Sequence, residues 1–142
     1  MATQLSNKCK VELLKKNLDL LNDTIKIALV SSGFTFSQAT HGTLADVSAS
    51  LLTEQYGYTV TTLAGAAAAQ DNVDNLGYVS FNNVSWNATG GAIGPSPGAI
   101  VYDDTHTDDV VLAYIDFGSD KTAAESGIFT ISSIKIGIGP ND

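Results

Sequence analysis

Hydrophobic residues change their spacing once along the chain. Up to Asn22 they recur at intervals of three and four, at Val11, Leu14, Leu18 and Leu21. Leu13 and Leu20 widen that stripe, while Lys8, Lys15, Lys16 and Asp19 fall elsewhere around the wheel. The spacing predicts an amphipathic helix over residues 5–20, with Ser6 as its N-cap. Residues 1–21 read as the helical part of one domain and residues 22–142 as its body. Beyond Asn22 the period becomes two. Ile25, Ile27 and Leu29 point one way and Thr24, Lys26 and Ala28 the other, which predicts a strand with one buried face. Similar runs cover 58–63, 78–86, 99–102, 110–117, 128–131 and 134–138. Turn-forming clusters separate them at 31–33, 82–83, 89–91, 94–98, 103–109 and 118–120. Seven short strands with no helices between them predict a mainly β fold, an antiparallel β-sandwich or a barrel, with the sandwich preferred. The alanines at 66–69 favour helix by propensity, yet Gly65 and the Gln-Asp-Asn that follows make a loop or irregular edge an equal reading.

The length, 142 residues, suits one domain. Fifteen acids against seven bases give a formal charge of −8, and every base is Lys. Without Arg the bidentate fork that reads phosphate and guanine is missing, so no nucleic-acid partner is expected. Five of the seven Lys lie in the first 26 residues, so the N-terminal segment meets its surroundings differently from the acidic body. No apolar run approaches the roughly 20 residues of a membrane span, and charges interrupt the first 20 residues, so neither a membrane partner nor a signal peptide is expected. A single cysteine, Cys9, excludes an intramolecular disulfide and a cysteine zinc site, and reads as a structural residue.

Candidate chemistry is sparse. Asp103, Asp104, Asp108 and Asp109 crowd one turn, and a hard cation could use such oxygens. The spacing matches no EF-hand, so the turn reads as solvated, with no metal expected. The two histidines, His41 and His106, sit near no recognisable nucleophile motif. The glycines at 91 and 94 lack the Lys of a P-loop, and three Asn-x-Ser/Thr sequences carry little weight without a signal peptide. No catalytic residues and no cofactor are expected, and the chain does not read as an enzyme. Trp86 with Tyr56, Tyr58, Tyr78 and Tyr102 could form a sugar-stacking platform, although core burial is the default for a Trp in an alternating run.

Several blocks, in order, cover most of the chain: Asn22-Asp-Thr-Ile-Lys-Ile-Ala-Leu-Val30, then Ala39-Thr-His41 and Ala45-Asp-Val47. Val79-Ser-Phe-Asn-Asn-Val-Ser-Trp-Asn-Ala-Thr89, Ala99-Ile-Val-Tyr-Asp-Asp-Thr105, and Leu112-Ala-Tyr-Ile-Asp-Phe-Gly-Ser-Asp120 leading into Gly127-Ile-Phe-Thr130 follow. This arrangement resembles a family of small virion structural proteins of tailed bacteriophages, including head-decoration or cement proteins. Two stretches depart from the pattern: 48–55 is longer than the expected connection, and 133–142 lacks a Trp-containing final strand. The resemblance implies a capsid decoration protein on the outside of an icosahedral head, made in the bacterial cytoplasm. Its partners would be the major capsid protein and further copies of itself, as a trimer. A neck, tail or fibre-base adaptor is the alternative within the virion, and a carbohydrate-binding sandwich the alternative outside it. The residues expected to carry contacts are Lys8, Lys10, Lys15 and Lys16, the loops at 42–57 and 88–98, and, in the sugar reading, Tyr56 and Tyr58.

Overall fold

The computed structural model describes residues 2–140. Ten strands and two short helices follow one another as β1 (Ala2–Leu5), α1 (Asn7–Leu14), β2 (Ile25–Leu29), α2 (Leu44–Val47), β3 (Thr61–Thr62), β4 (Ala67–Asp71), β5 (Leu76–Phe81), β6 (Val84–Asn87), β7 (Ile93–Asp103), β8 (Val110–Ala123), β9 (Ile128–Ile131) and β10 (Ile134–Ile138). The fold is mainly β and its strand pairs are antiparallel. A five-stranded sheet runs β1-β8-β7-β2-β3, and two smaller sheets run β10-β5-β4 and β6-β9.

The main core lies between these sheets. Ile25, Ile27, Leu29, Val101, Leu112 and Ile115 of the large sheet meet Phe81, Trp86, Phe129, Ile131, Ile134 and Ile136 of the small ones. That is the two-layer solution to covering one apolar sheet face with another. The alternation within β2 holds for Ile25, Ile27 and Leu29, but the other face is not left to solvent. Ala28 is fully buried, and it joins Val30, Ile100, Tyr102, Val111 and Tyr114 in a second cluster covered by Val47, Phe34, Phe36, Leu44, Leu51 and Val60. The expected contact loop at 42–57 is therefore largely a lid on the back of the sheet. Phe34 and Phe36 reach Tyr114 with ring centroids 5.5 and 5.4 Å apart, and His41 stacks on Phe34 at 5.2 Å.

Strands β7 and β8 are longer than the alternation indicates. The run Gly94-Pro-Ser-Pro-Gly98 reads as a turn but belongs to β7, and residues 118–120 belong to β8. Prolines survive here because β2 pairs only with 99–103, so the first half of β7 is laddered on one side only. The ladder shifts register around Ser96, which absorbs the irregular backbone, including a cis Gly94-Pro95 bond. Asn82 and Asn83 do break the predicted 78–86 run, into β5 and β6, and the alanine stretch becomes the outer strand β4.

The predicted helix over 5–20 is corrected most. Helix α1 has eight residues, and it buries Cys9 and Glu12 rather than the leucine stripe. Leu14 is 86% exposed, whereas Leu18 and Leu20 are buried from the loop beyond the helix. Ser6 is the N-cap: its hydroxyl accepts from Cys9 N–H at 2.9 Å and donates to the Val111 carbonyl of β8. The helix stops because Lys16 turns left-handed, with φ of 61°. Lys16 N–H then bonds to the Leu13 carbonyl and Asn17 N–H to that of Glu12. This is a Schellman closure with Lys where Gly is usual, so no residue type announces the stop.

Ile27 is fully buried on β2 between β3 and β7. Ile27→Asp is expected to cost more than about 4 kcal/mol, or to prevent folding, in a chemical denaturation series.

Candidate functional site

Two of the regions that bring polar or accessible apolar groups together adjoin α1 and the loop after it: a groove beside β4, and a charged junction where α1 meets the 103–109 turn.

The groove, about 630 Å³, lies between the loop after α1 and the β10-β5-β4 sheet. Leu18, Leu20 and Leu21 wall one side, and Ala68, Tyr78 and Ile138 line the other. Leu21 and Ile138 are each about half exposed. Lys16 and Asp19 stand at the rim. Strand β4 bounds the groove and pairs, among the described strands, with β5 alone. Its residues 67–70 are all exposed, without Lys, Pro or a bulge to discourage pairing with another chain. The β4–β5 hairpin carries Val73, 88% exposed, at its tip.

The junction is built from α1 and the turn after β7. His106 Nδ1 accepts from Asp108 N–H at 3.1 Å, so the ring proton sits on Nε2 and faces Glu12 Oε2 at 3.3 Å. Asn17 Nδ2 donates to the same oxygen at 2.7 Å and is the main cause holding the Glu12 carboxyl below the usual range, against the effect of burial; His106 and Lys15 add to it. Lys8 pairs with Asp108 at 3.4 Å and Lys26 with Asp104 at 3.0 Å. Cys9 is fully buried beneath them, and burial pushes its thiol up to about 12, which removes it from nucleophilic chemistry. Among the described residues no group of three or more His, Cys, Asp or Glu is placed to hold a metal ion.

The expected contact residues separate on this map. Lys8 is half-buried in its ion pair with Asp108, and Lys15 leans back on Glu12 at 3.7 Å. Lys10 is half-buried, and Lys16 is exposed beside the groove. Tyr56 is 42% exposed, its ring lying against Gly91. Tyr58 is buried, because its hydroxyl accepts from Leu29 N–H at 2.7 Å and its ring meets Trp86 edge-on at 5.1 Å. Trp86 is buried too, with Nε1 donating to Thr61 Oγ1 at 3.0 Å. Neither ring can stack on a sugar, and Tyr58 is withdrawn as a partner contact. Tyr102 is likewise buried, and Lys135 covers the Tyr78 ring at 4.5 Å. Of the 88–98 loop, residues from Ile93 onward are strand. Asp103, read as part of a solvated turn, is fully buried; its Oδ1 accepts from Thr105 and His106 N–H at 2.9 and 3.2 Å. The groove escaped the sequence reading because its leucines were assigned to a helix face.

No protein-family model, curated protein or solved structure matches the chain.

Two substitutions test this geometry. Tyr58→Phe removes the acceptor for Leu29 N–H at the outer edge of β2, where β3 no longer pairs. It should destabilise by about 1–3 kcal/mol in urea, the cost of a buried unpaired donor. Asp104→Asn breaks only the Lys26 pair, whose two side chains are each about a third exposed. A loss under about 1 kcal/mol is expected, equal with and without Ca²⁺.

Proposed function

We propose that the protein is a structural protein of a tailed-bacteriophage virion, a capsid decoration or cement protein that binds the outside of the icosahedral head and stabilises capsomer contacts. The longer blocks that carry the family resemblance fall on β2, β5, β6, β7, β8 and β9, strands of both layers, and the two short ones fall on the cover at 39–41 and on α2. The observation that carries the assembly reading is the apolar groove beside the unpaired β4 edge. A strand edge whose charge is confined to Asp71 at its end offers main-chain hydrogen bonds to a neighbour, and the half-exposed Leu21 and Ile138 offer apolar area to the same partner. Many copies on a lattice would sum such modest contacts through multivalency. The charge of −8 favours solubility at high local density. The partners in this reading are the major capsid protein and other copies of the chain, as a trimer.

A neck, tail or fibre-base adaptor would use the same surface at lower copy number. The carbohydrate-binding reading has lost Tyr58, Trp86 and Tyr102 to the core and retains Tyr56 and the half-buried Tyr78, whose ring Lys135 covers.

Quantitative mass spectrometry of purified particles tests the proposal. A copy number comparable to that of the major shell protein is expected. A handful of copies per particle would move the protein to the neck or tail, and absence from particles would overturn the virion reading. Leu21→Asp, on the groove wall, should abolish addition of the folded protein to particles lacking it, as read by co-sedimentation.

A further inference from the structure

Asp103 stands at the end of β7, where it pairs with Ile25 of β2. Its side chain is fully enclosed, and Oδ1 is satisfied by two backbone amides of the following turn. Its other oxygen, Oδ2, is buried with no donor in reach. What faces it is a second acid: the Asp23 carboxyl, at the end of the loop that leads from α1 into β2, lies within hydrogen-bonding reach of Asp103. Two carboxylates cannot satisfy one another, but a carboxylic acid and a carboxylate can, by sharing one proton.

Among the described residues no cation pairs with either carboxylate to replace that proton. From α1, Cys9 is a buried neutral thiol, Glu12 is an acid already engaged by Asn17 and His106, and Lys8 is turned to Asp108. Lys10, the remaining base of α1, acts on the Cys9 thiol. From β2, Lys26 is committed to Asp104 at 3.0 Å. From the turn itself, His106 gives its Nε2 to Glu12 and its Nδ1 to Asp108 N–H, and Asp109 is a further acid.

We infer that Asp23 and Asp103 share a proton and form a pH-responsive latch, which ties the loop walling the apolar groove to the end of the central sheet. The loop from Lys16 to Asp23 contains Leu18, Leu20 and Leu21, the groove's wall, and Asp23 holds its end beside Thr24, whose carbonyl accepts from Asp104 N–H at 2.8 Å and whose N–H donates to Thr105 Oγ1 at 2.8 Å. Loss of the shared proton leaves two like charges facing each other, Asp103 enclosed and Asp23 half-buried with its Oδ2 accepting from Asp19 N–H at 2.9 Å, and the relief is for the Asp23 end of the loop to move outward toward solvent. The latch does not depend on the virion reading.

Burial first, and the Asp23 carboxyl second, push Asp103 from 3.8 up to about 6. A folded-state pKa above the unfolded one means that the group's stabilisation is complete below about pH 4 and is lost as pH rises through about 6. Glu12, Asp19, Asp46 and Asp71 are held below their ordinary values, so their contributions run the other way and fail only in stronger acid.

The experiment combines thermal unfolding with amide hydrogen exchange of residues 16–24 on the intact protein, between pH 5 and 7.5, corrected for the intrinsic pH dependence of exchange. Protection of this loop in the wild type should fall across that interval. Asp103→Asn, whose amide can donate to Asp23 while keeping the Oδ1 acceptor, should hold protection constant and raise Tm at pH 7.5 by about 3 °C. Asp23→Asn should act similarly and serves if the Asp103 variant folds poorly. Histidine is the usual titrating group near neutrality, so His106→Gln separates the two sources: the pH effect should survive it. Loop protection that does not change with pH, a fall in protection abolished by His106→Gln, or Asn variants less stable than wild type at pH 7.5 would each overturn the latch.

Discussion

The structure depends on one constraint: the middle of the large sheet, β2 with residues 99–103 of β7 and 110–115 of β8, is buried on both faces. Most of its backbone groups are satisfied within the sheet, so each face needs chiefly apolar cover. One face receives the β10-β5-β4 and β6-β9 sheets, and the other receives irregular chain from 31–60. Because that cover is a loop with only short helical turns, it holds its place through large side chains. Val47, Phe34, Phe36 and Leu51 settle on Ile100, Tyr102, Val111 and Tyr114. The main-chain bonds Leu52 N–H to Leu29 and Val111 N–H to Gly42 pin it to β2 and β8, and Ser31 N–H to Ser50 closes it on itself. Tyr58 belongs to the same logic, since its hydroxyl takes the β2 amide that the two-residue β3 leaves unpaired.

This explains what was legible in the sequence. Alternation in β2, β9 and β10 was plain because each has polar residues on at least part of one face. The mainly β, antiparallel architecture followed from those runs and from the turn clusters between them. The extent of β7 and β8 was hidden, because glycine and proline signal turns by local preference, while a register shift beside a one-sided ladder admits them into a strand. Helix α1 was overextended for the converse reason: a leucine pattern at helical spacing continued past Lys16, and the left-handed residue that ends the helix is not one whose type marks a stop. Once the chain leaves the helix there, Leu18 and Leu20 are buried by the loop, and the wall of the groove is made.

The candidate surface and the charged junction are thus two results of one event, the early end of α1. Ser6 fixes where the helix starts on β8, and Lys16 fixes where it stops. Between them Glu12 is turned inward to His106 rather than outward to solvent. The lysines that made the N-terminal segment look like a docking patch are partly spent on the chain's own acids, at Asp108 and Glu12. Accessible apolar area is found instead on the far side of that loop, beside the alanines of β4. Pair chemistry of this kind depends on which groups meet across long sequence separations, and spacing alone carries no trace of it.

Cys9 gives the molecule a property that none of its other residues supplies. It is the chain's sole sulfhydryl, sealed under α1 with its proton firmly held. A thiol in that condition is silent toward alkylating and oxidising reagents until the helix lifts from β8. Each copy therefore carries an internal clock for that motion. The rate of its modification reports how often the N-terminal unit comes away from the sheet, copy by copy and without any added label.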